Sequence, residues 1–411
     1  MLKKCRICNS TFKSFLSLGD QPCADTFLKS KKDSINLKKF PLIVGYCKCS
    51  HLSSIFPISG FLRYEKYDYS YTSDNSIVSR THFKKIAKTI CKKFKLNKNS
   101  FLIEAGSNDG TFLNEIINLS KSKVLGIDPS KNISRIARKK KINVITNYFN
   151  NKSSKKIKKK FGKADVIYGA NVFNHVDDIN DFLKAARRLI KKNGQLILEV
   201  PDLNSLINKV GFDTIYHEHR HYFSESSIFK LLKNQGFNVY KIQKINYMSG
   251  SLRVFSSMNT NKKITNLQKI SLKEFNLFKR KVNLTIEKIK DFVKKNGPIV
   301  GIGAATKGNT LLNYCGIKSD LITAVFDAAK AKQGKFLPGS HIPILDPDEI
   351  KSFKPDTKGI LYLRYRDASN DTVTQLLNKG YSRARIDGQF KSLEEVLRLD
   401  LFEFSLRMLL R

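Results

Sequence analysis

The chain has 411 residues, 41% hydrophobic and 27% charged, and its 75 Lys and Arg outweigh 35 Asp and Glu to give a formal net charge of +40. That length exceeds one ordinary core and allows two or three domains, and average apolar usage excludes a disordered, collagen-like or coiled-coil chain. The lysines are spread along nearly every predicted helix, so the charge reads as a solvated basic surface and not as a specific nucleic-acid footprint, the run Ser153-Ser-Lys-Lys-Ile-Lys-Lys-Lys160 included.

Met1-Leu-Lys-Lys-Cys-Arg6 has no secretory apolar segment, and no apolar run reaches bilayer-spanning length, so a cytoplasmic protein without a membrane partner is expected. In that compartment the 7 cysteines suggest thiols or metal ligands before disulfides. Cys5-Arg-Ile-Cys8 and Cys47-Lys-Cys49 can bring four sulfurs to one tetrahedral Zn2+ from two short turns, with His51 or Cys23 as substitutes. A structural zinc site of Cys5, Cys8, Cys47 and Cys49 is therefore expected ahead of unrelated buried thiols. A redox pair is disfavoured because no strand and helix follow in thioredoxin fashion.

Tyr64-Glu-Lys-Tyr-Asp-Tyr-Ser-Tyr-Thr-Ser73 has no clean period and reads as an aromatic loop. A helix follows over 75–95, then strands at Phe101, Val124–Asp128, Ile142–Ile145, Ala164–Tyr168 and Gly194–Val200, with a helix over 179–191 before the last. This alternation predicts a doubly wound α/β sheet. Phe275, Phe278, Val282, Ile286, Ile289 and Val293 give the stripe of a long helix over 265–295, stopped by Asn296-Gly-Pro298. Strands at Ile299, Ile322–Asp327 and Gly359–Leu363, the last running on through Tyr362-Leu-Arg-Tyr-Arg-Asp367, predict a second, smaller α/β domain.

Glu104-Ala-Gly-Ser-Asn-Asp-Gly110 joins a strand to a helix, and Asp128 ends the next strand. Glycines admit a ligand close to the backbone, and the acid can accept ribose hydroxyls. NAD and S-adenosyl-L-methionine both suit this geometry; the spacing misses G-x-G-x-x-G and has the E-x-G-x-x-x-G form of class I methyltransferases, which favours the methyl donor. Glu104, Gly106, Ser107, Asn108, Asp109, Gly110 and Asp128 are the candidate contacts, with Asn171 at the end of the fourth strand. Asn171-Val-Phe-Asn-His175 puts His175 on the same rim, and Tyr216-His-Glu-His-Arg-His221 can return there. H-E-H lacks the i, i+4 spacing of a helical zinc site, so proton transfer is the better reading of the cluster. In an extended segment His217 and His219 would face one way and Glu218 the other.

Over almost its full length the chain resembles the sugar C-methyltransferase family, which includes the C3-methyltransferase of tetronitrose biosynthesis. The resemblance is carried by the paired cysteines, Tyr67-Asp-Tyr-Ser-Tyr-Thr-Ser73, the glycine turn through Leu113, Asn171-Val-Phe-Asn-His-Val176, Tyr216-His-Glu-His219, Ser249-Gly-Ser-Leu-Arg-Val254, Gly303-Ala-Ala-Thr-Lys-Gly-Asn309 and Lys332-Gln-Gly-Lys-Phe-Leu-Pro-Gly339. It implies a zinc-binding N-terminal domain with the aromatic loop (1–74), a class I methyltransferase Rossmann-like domain (75–260), and a linker helix with a C-terminal α/β domain that helps hold a nucleotide-linked sugar (261–411). It implies transfer of methyl from S-adenosyl-L-methionine to carbon of a dTDP-linked keto-deoxyhexose. His219 matches the histidine that removes the proton α to the ketone; Tyr216, Glu218 and His175 match residues lining that site, and Tyr69 matches a tyrosine from the loop. Lys307, Lys332 and Lys335 are candidate diphosphate contacts, and a monomer is expected. The rival readings are a sugar O-methyltransferase or one with a non-nucleotide acceptor, a nucleic-acid binder, and a nicotinamide oxidoreductase.

Overall fold

The computed structural model describes residues 2–260 and 264–351, and beyond them the backbone of 360–362, 383–386, 389–392 and 408–409. The chain forms two compact units, each assembled from three segments. The first comprises Met1–Phe15, Ile43–Ser205 and His219–Ser271, and the second Leu16–Leu42, Leu206–Glu218 and Leu272–Arg411.

The first unit is built on a sheet whose central strand is β4 (Phe101–Ala105). All five β4 residues are buried, as a strand covered on both faces requires. β5 (Lys123–Asp128) and β6 (Val144–Thr146) lie to one side, β7 (Ala164–Ala170) and β8 (Ile190–Pro201) to the other, all parallel. β11 (Ser251–Ser257) runs antiparallel to β8, and β10 (Asn238–Ile245) antiparallel to β11, giving the order β10-β11-β8-β7-β4-β5-β6. Strand succession reverses at β4, which opens a crevice at the carboxyl ends of the strands. This is the arrangement of a class I methyltransferase domain.

One face of the sheet is covered by α3 (Ile77–Phe94) and α4 (Thr111–Ser120). Phe83, Ile86, Ala87 and Ile90 recur at helical spacing and meet Phe112, Leu113 and Ile116 over Tyr168, Ile197 and Phe255. Burying each large apolar side chain contributes about 1.5–3 kcal/mol. The other face packs under Phe182 and Leu183 of α7 (Ile179–Leu189) and Ile228, Leu231 and Leu232 of α9 (Glu225–Asn234). Two further helices, α5 (Lys131–Lys139) and α6 (Asn151–Phe161), complete the crossovers.

The strand predicted from Ile142 begins two residues later, at Val144. Ile142 instead closes α5, its N–H bonding Ala137 O at 3.1 Å and its side chain packing where a Cβ at Gly110 would stand. The helix predicted from 265 starts at Leu272 (α10, Leu272–Asn296). Ser50 Oγ binds both the carbonyl and the N–H of Ile270, at 3.0 and 3.1 Å, so that residue cannot join a helical ladder.

Outside the large sheet, β1 (Lys13–Gln21) and β2 (Phe40–Tyr46) each carry the chain from one unit to the other. In the first unit β2 pairs with β3 (His51–Ser54) through Val44–Tyr46, and β3 with β9 (His221–Phe223), both antiparallel. A one-turn helix, α2 (Gly60–Tyr64), precedes the aromatic loop and is capped by Ser59.

The second unit contains α1 (Lys31–Ile35), α10 and a parallel core of β12 (Ile299–Ile302), β13 (Ile322–Phe326), β15 (Pro343–Leu345) and β16 (Ile360–Tyr362). β14 (Lys335–Phe336) extends it as an edge strand, and the turn after β12 opens α11 (Thr306–Cys315). The segment 206–218 also belongs here: Asp213 Oδ2 pairs with Lys307 Nζ at 3.4 Å, and both side chains are buried. Residues 363–367 of the expected C-terminal strand lie outside the described residues.

Candidate active site

The turn after β4 is shaped by backbone that L side chains rarely adopt, with φ of +67° at Gly106 and +79° at Gly110. A Cβ at Gly106 would stand 2.6 Å from Val172 Cγ2, so the turn and the Asn171 turn after β7 close on each other only around glycine. Asp128 ends β5 and accepts from Asn108 N at 3.0 Å and Ser130 N at 2.9 Å. Burial pushes its carboxyl up to about 6.

Two of the residues expected at the cofactor are largely occupied with the fold. Asp109 Oδ1 accepts from Thr111 Oγ1 at 2.7 Å, and its Oδ2 from Asp74 N at 3.1 Å and Lys140 Nζ at 3.2 Å. Asn108 accepts from Ser73 N at 2.9 Å and donates to Tyr71 O at 3.1 Å. Together they lace the aromatic loop to the glycine turn. By contrast, Glu104 Oε2, Ser107 Oγ and Asn171 Oδ1 are buried with no hydrogen-bond partner among the described residues. Burial, and then Asp109, Asp128 and Glu199, hold the Glu104 carboxyl well above its usual range. Buried polar atoms left open at the carboxyl end of a doubly wound sheet are what a polar cofactor would satisfy, so the residues present fit S-adenosylmethionine.

On the same unit the rings of His175 and His219 meet edge to face, 4.8 Å between centroids and 76° between planes. The β7 turn delivers His175, whose N–H bonds Val172 O at 2.9 Å. His219 is brought to it because Asn174 O accepts from Arg220 N at 2.8 Å and His221 N at 3.1 Å, and Tyr222 Oη binds His219 O at 3.0 Å. Burial, then His219 and Arg63, push the His175 imidazole well below its ordinary value. From α2, Tyr64 Oη reaches His175 Nδ1 at 2.6 Å, and Arg63 donates to His175 O at 2.7 Å while pairing with Asp177, which Arg220 also engages. Tyr69 packs edge-on against Tyr64 with centroids 5.6 Å apart.

The histidine cluster is not all one site. Residues 216–218 form an irregular segment, a bend followed by a turn. Tyr216, His217 and Glu218 belong to the second unit, where His217 Nε2 lies 3.2 Å from Gln21 O. His221 stacks on His51 at 5.3 Å and meets Ser53 Oγ and Val176 O, a packing role.

Sequence reading passed over two groups. One is Arg63-Tyr64, for which Ser59-Gly60 at the head of a short apolar stretch was the available helix-start signal. The other is buried Glu199, which accepts from Arg253 Nε at 2.6 Å and meets His82 Nε2 at 2.7 Å; His82 stacks on Tyr247 at 3.7 Å. Arg253 lies inside the Ser249–Val254 motif, but nothing local names its partner.

The sulfurs of Cys5, Cys8, Cys47 and Cys49 all lie within 4.8 Å of one another. Three of the separations are 3.9 Å (Cys5–Cys49), 3.8 Å (Cys8–Cys47) and 3.2 Å (Cys47–Cys49). A zinc–sulfur bond of about 2.3 Å gives a tetrahedron edge of about 3.8 Å, so the cluster fits a closed structural zinc site. Cys23 is not part of it. His51 Nδ1 is 3.5 Å from Cys5 Sγ but is not part of the close set of four sulfurs, so the histidine stands beside a ligand and does not replace one.

Three family models match the chain in sequence: a zinc binding domain over residues 5–55, a methyltransferase domain over 78–242 and a C-methyltransferase C-terminal domain over 249–382. The C-methyltransferase NovU of Streptomyces niveus is 28% identical over 397 residues, covering 92% of this chain and 94% of that protein. Over nearly its whole length the chain is similar to this C-methyltransferase. A ubiquinone biosynthesis O-methyltransferase of Pelagibacter ubique is 28% identical over 43% of the chain and 80% of its own length. Among solved structures, magnesium protoporphyrin IX methyltransferase of Synechocystis PCC 6803 with bound S-adenosylmethionine aligns with a TM-score of 0.34 at 14% identity, covering 44% of this chain and 79% of that one. The methyltransferase domain matched over 78–242 and the zinc-binding domain with its cysteine cluster make the chain an S-adenosylmethionine-dependent methyltransferase with a zinc-binding domain. Among its described residues no helix is long and apolar enough to cross a membrane.

Proposed function

We propose that the enzyme methylates a carbon α to the ketone of a nucleotide-linked keto-deoxysugar, with His219 as the base. The observation that supports this most directly is the edge-to-face pair of His175 and His219 beside the open polar atoms of the glycine turn. A sugar carbon bearing an α-proton must lose it before it can act as a nucleophile, and imidazole is the side chain suited to that near neutrality.

Glu104, Gly106, Ser107 and Asn171, with Asn108, Asp109, Gly110 and Asp128 shaping the turn, would hold the methyl donor. When bound, S-adenosylmethionine supplies an electrophilic methyl group on a sulfonium centre. His219 takes the α-proton as the C–H bond breaks. His175 steadies the oxygen on which charge develops, and Tyr69 lines its side of the cleft. The enolate carbon then forms the new C–C bond as the sulfur–methyl bond breaks in line, and the proton stays on His219 until solvent removes it. For Tyr216 and Glu218, which belong to the second unit, a site-lining role rests on the resemblance alone. The C-terminal α/β domain, with Lys307, Lys332 and Lys335 as candidate contacts, would grip the diphosphate of a dTDP-linked sugar.

The test is incubation with methyl-labelled donor and a dTDP-4-keto-6-deoxyhexose, followed by NMR of the product. Label on carbon supports the proposal. Label on oxygen gives instead the O-methyl reading that the Pelagibacter relative keeps open, and no transfer to any sugar nucleotide removes it.

A further inference from the structure

α2 sets Tyr64 Oη 2.6 Å from His175 Nδ1, and Arg63 Nη1 lies 3.3 Å from the same hydroxyl. A guanidinium can only donate, so the Tyr64 oxygen receives the Arg63 proton, and with one lone pair engaged its own O–H is placed to be given to the imidazole nitrogen 2.6 Å away. An imidazole that accepts at Nδ1 carries its proton at Nε2. The surroundings favour the neutral ring. Arg63 lies alongside with its Nη1 on the carbonyl of His175, His219 stands against its edge, Asp177 is bound by both Arg63 and Arg220, and Glu65 accepts from Tyr148 Oη at 2.6 Å.

We propose that Tyr64 is a positioning residue that holds His175 as the Nε2–H tautomer. His175 is then a hydrogen-bond donor and cannot compete with His219 for the substrate proton. The inference rests on the C-methyl transfer proposed above and divides its labour between the two imidazoles. His219 gains the proton from carbon; His175 and Tyr64 keep theirs throughout, and the Nε2–H of His175 answers the growing charge on oxygen. Without the Tyr64 hydroxyl the ring is free to carry its proton on Nδ1, and a lone pair at Nε2 would then repel that oxygen.

The protein with 15N-labelled histidine rings, with His175→Gln to identify the signals, reports the tautomer through two-bond nitrogen–proton correlations. Wild type is expected to show His175 protonated at Nε2 alone. Tyr64→Phe is expected to show a mixture, with kcat lowered roughly 10-fold to 100-fold, less than loss of an oxyanion donor itself, and KM little altered. Protonation at Nδ1 or an imidazolium in the wild type overturns the proposal, as does an unchanged pattern in Tyr64→Phe or a shifted pattern with unaltered kcat. The wild-type spectrum needs no turnover and no Tyr64 variant. It therefore fails or succeeds separately from the search for a C-methyl product, on which the functional reading stands.

Discussion

Arg253 donates its Nε–H to Glu199 Oε1 at 2.6 Å, deep enough that solvent does not reach the carboxylate at all. With His82 on the other oxygen, the pair joins α3, β8 and β11 at the rim of the large sheet. Arg253→Leu removes one partner and strands a buried charge, which costs about 3–5 kcal/mol. Thermal and urea unfolding should show the loss, with Glu199→Gln added to Arg253→Leu recovering part of it. A single variant as stable as wild type would contradict this account. Because its partners hold the folded Glu199 carboxyl below the ordinary value, this contribution is full above about pH 4.5 and drains away as pH falls through the folded value.

His219→Gln keeps a polar ring-sized side chain but no base. We expect kcat to fall about 100-fold to 10,000-fold while binding of the methyl donor, measured by calorimetry, is unchanged. In D2O with S-adenosylhomocysteine present, wild type should exchange the α-proton of the keto-sugar for deuterium and the variant should not. Exchange at the wild-type rate in the variant would remove His219 from the role of base.

Metal analysis should find about one zinc per chain, held by four thiolates. Strong chelators or Cys8→Ser should release it and lower the melting temperature by several degrees. Burial of His51 against Cys5 makes a second expectation: His51→Leu weakens retention of zinc during chelation without emptying the site. Full melting stability in metal-stripped protein would show that the cluster is not structural.

His175 and His221 are both pushed well below their ordinary value, first by burial; for His221 the further causes are His51, Arg220 and Arg6. Folding therefore excludes protons that the unfolded chain binds below about pH 6.5, and stability rises with pH across that window. Asp128, raised to about 6, and Glu104, held well above its usual range, work in the opposite sense, so the histidine effect is read between pH 6 and 7 in an Asp128→Asn, Glu104→Gln background. There the urea midpoint should rise by the equivalent of about 1 kcal/mol. A flat or falling midpoint in that background would mean that the two rings are charged in the folded enzyme.

What the sequence made legible was local. The glycine turn, the strands around it and the cysteine pairs announce themselves within a dozen residues, through periodicity, breaker residues and ligand spacing. Even there, hydrogen bonds from elsewhere shift the edges: Ser50 holds Ile270 out of α10 from 220 positions away in the chain. Tyr64 meets His175 across 111 residues and His82 meets Glu199 across 117, and no single-sequence pattern encodes such pairings. The histidine cluster was legible only in part, because adjacency in sequence does not say which of its rings share a site. In the fold His221 serves packing, while Glu218 and His219 fall in different units.

The chain passes from one unit to the other after Phe15, Leu42, Ser205, Glu218 and Ser271. Neither unit is a contiguous gene segment, so no truncation yields either one whole: a fragment beginning at Leu272 lacks two of the three pieces from which its unit is made. Shuffling one unit between relatives would need five simultaneous splices, one of them inside Tyr216-His-Glu-His219. Specificity in such an enzyme is therefore expected to drift by point substitution, with both halves inherited together.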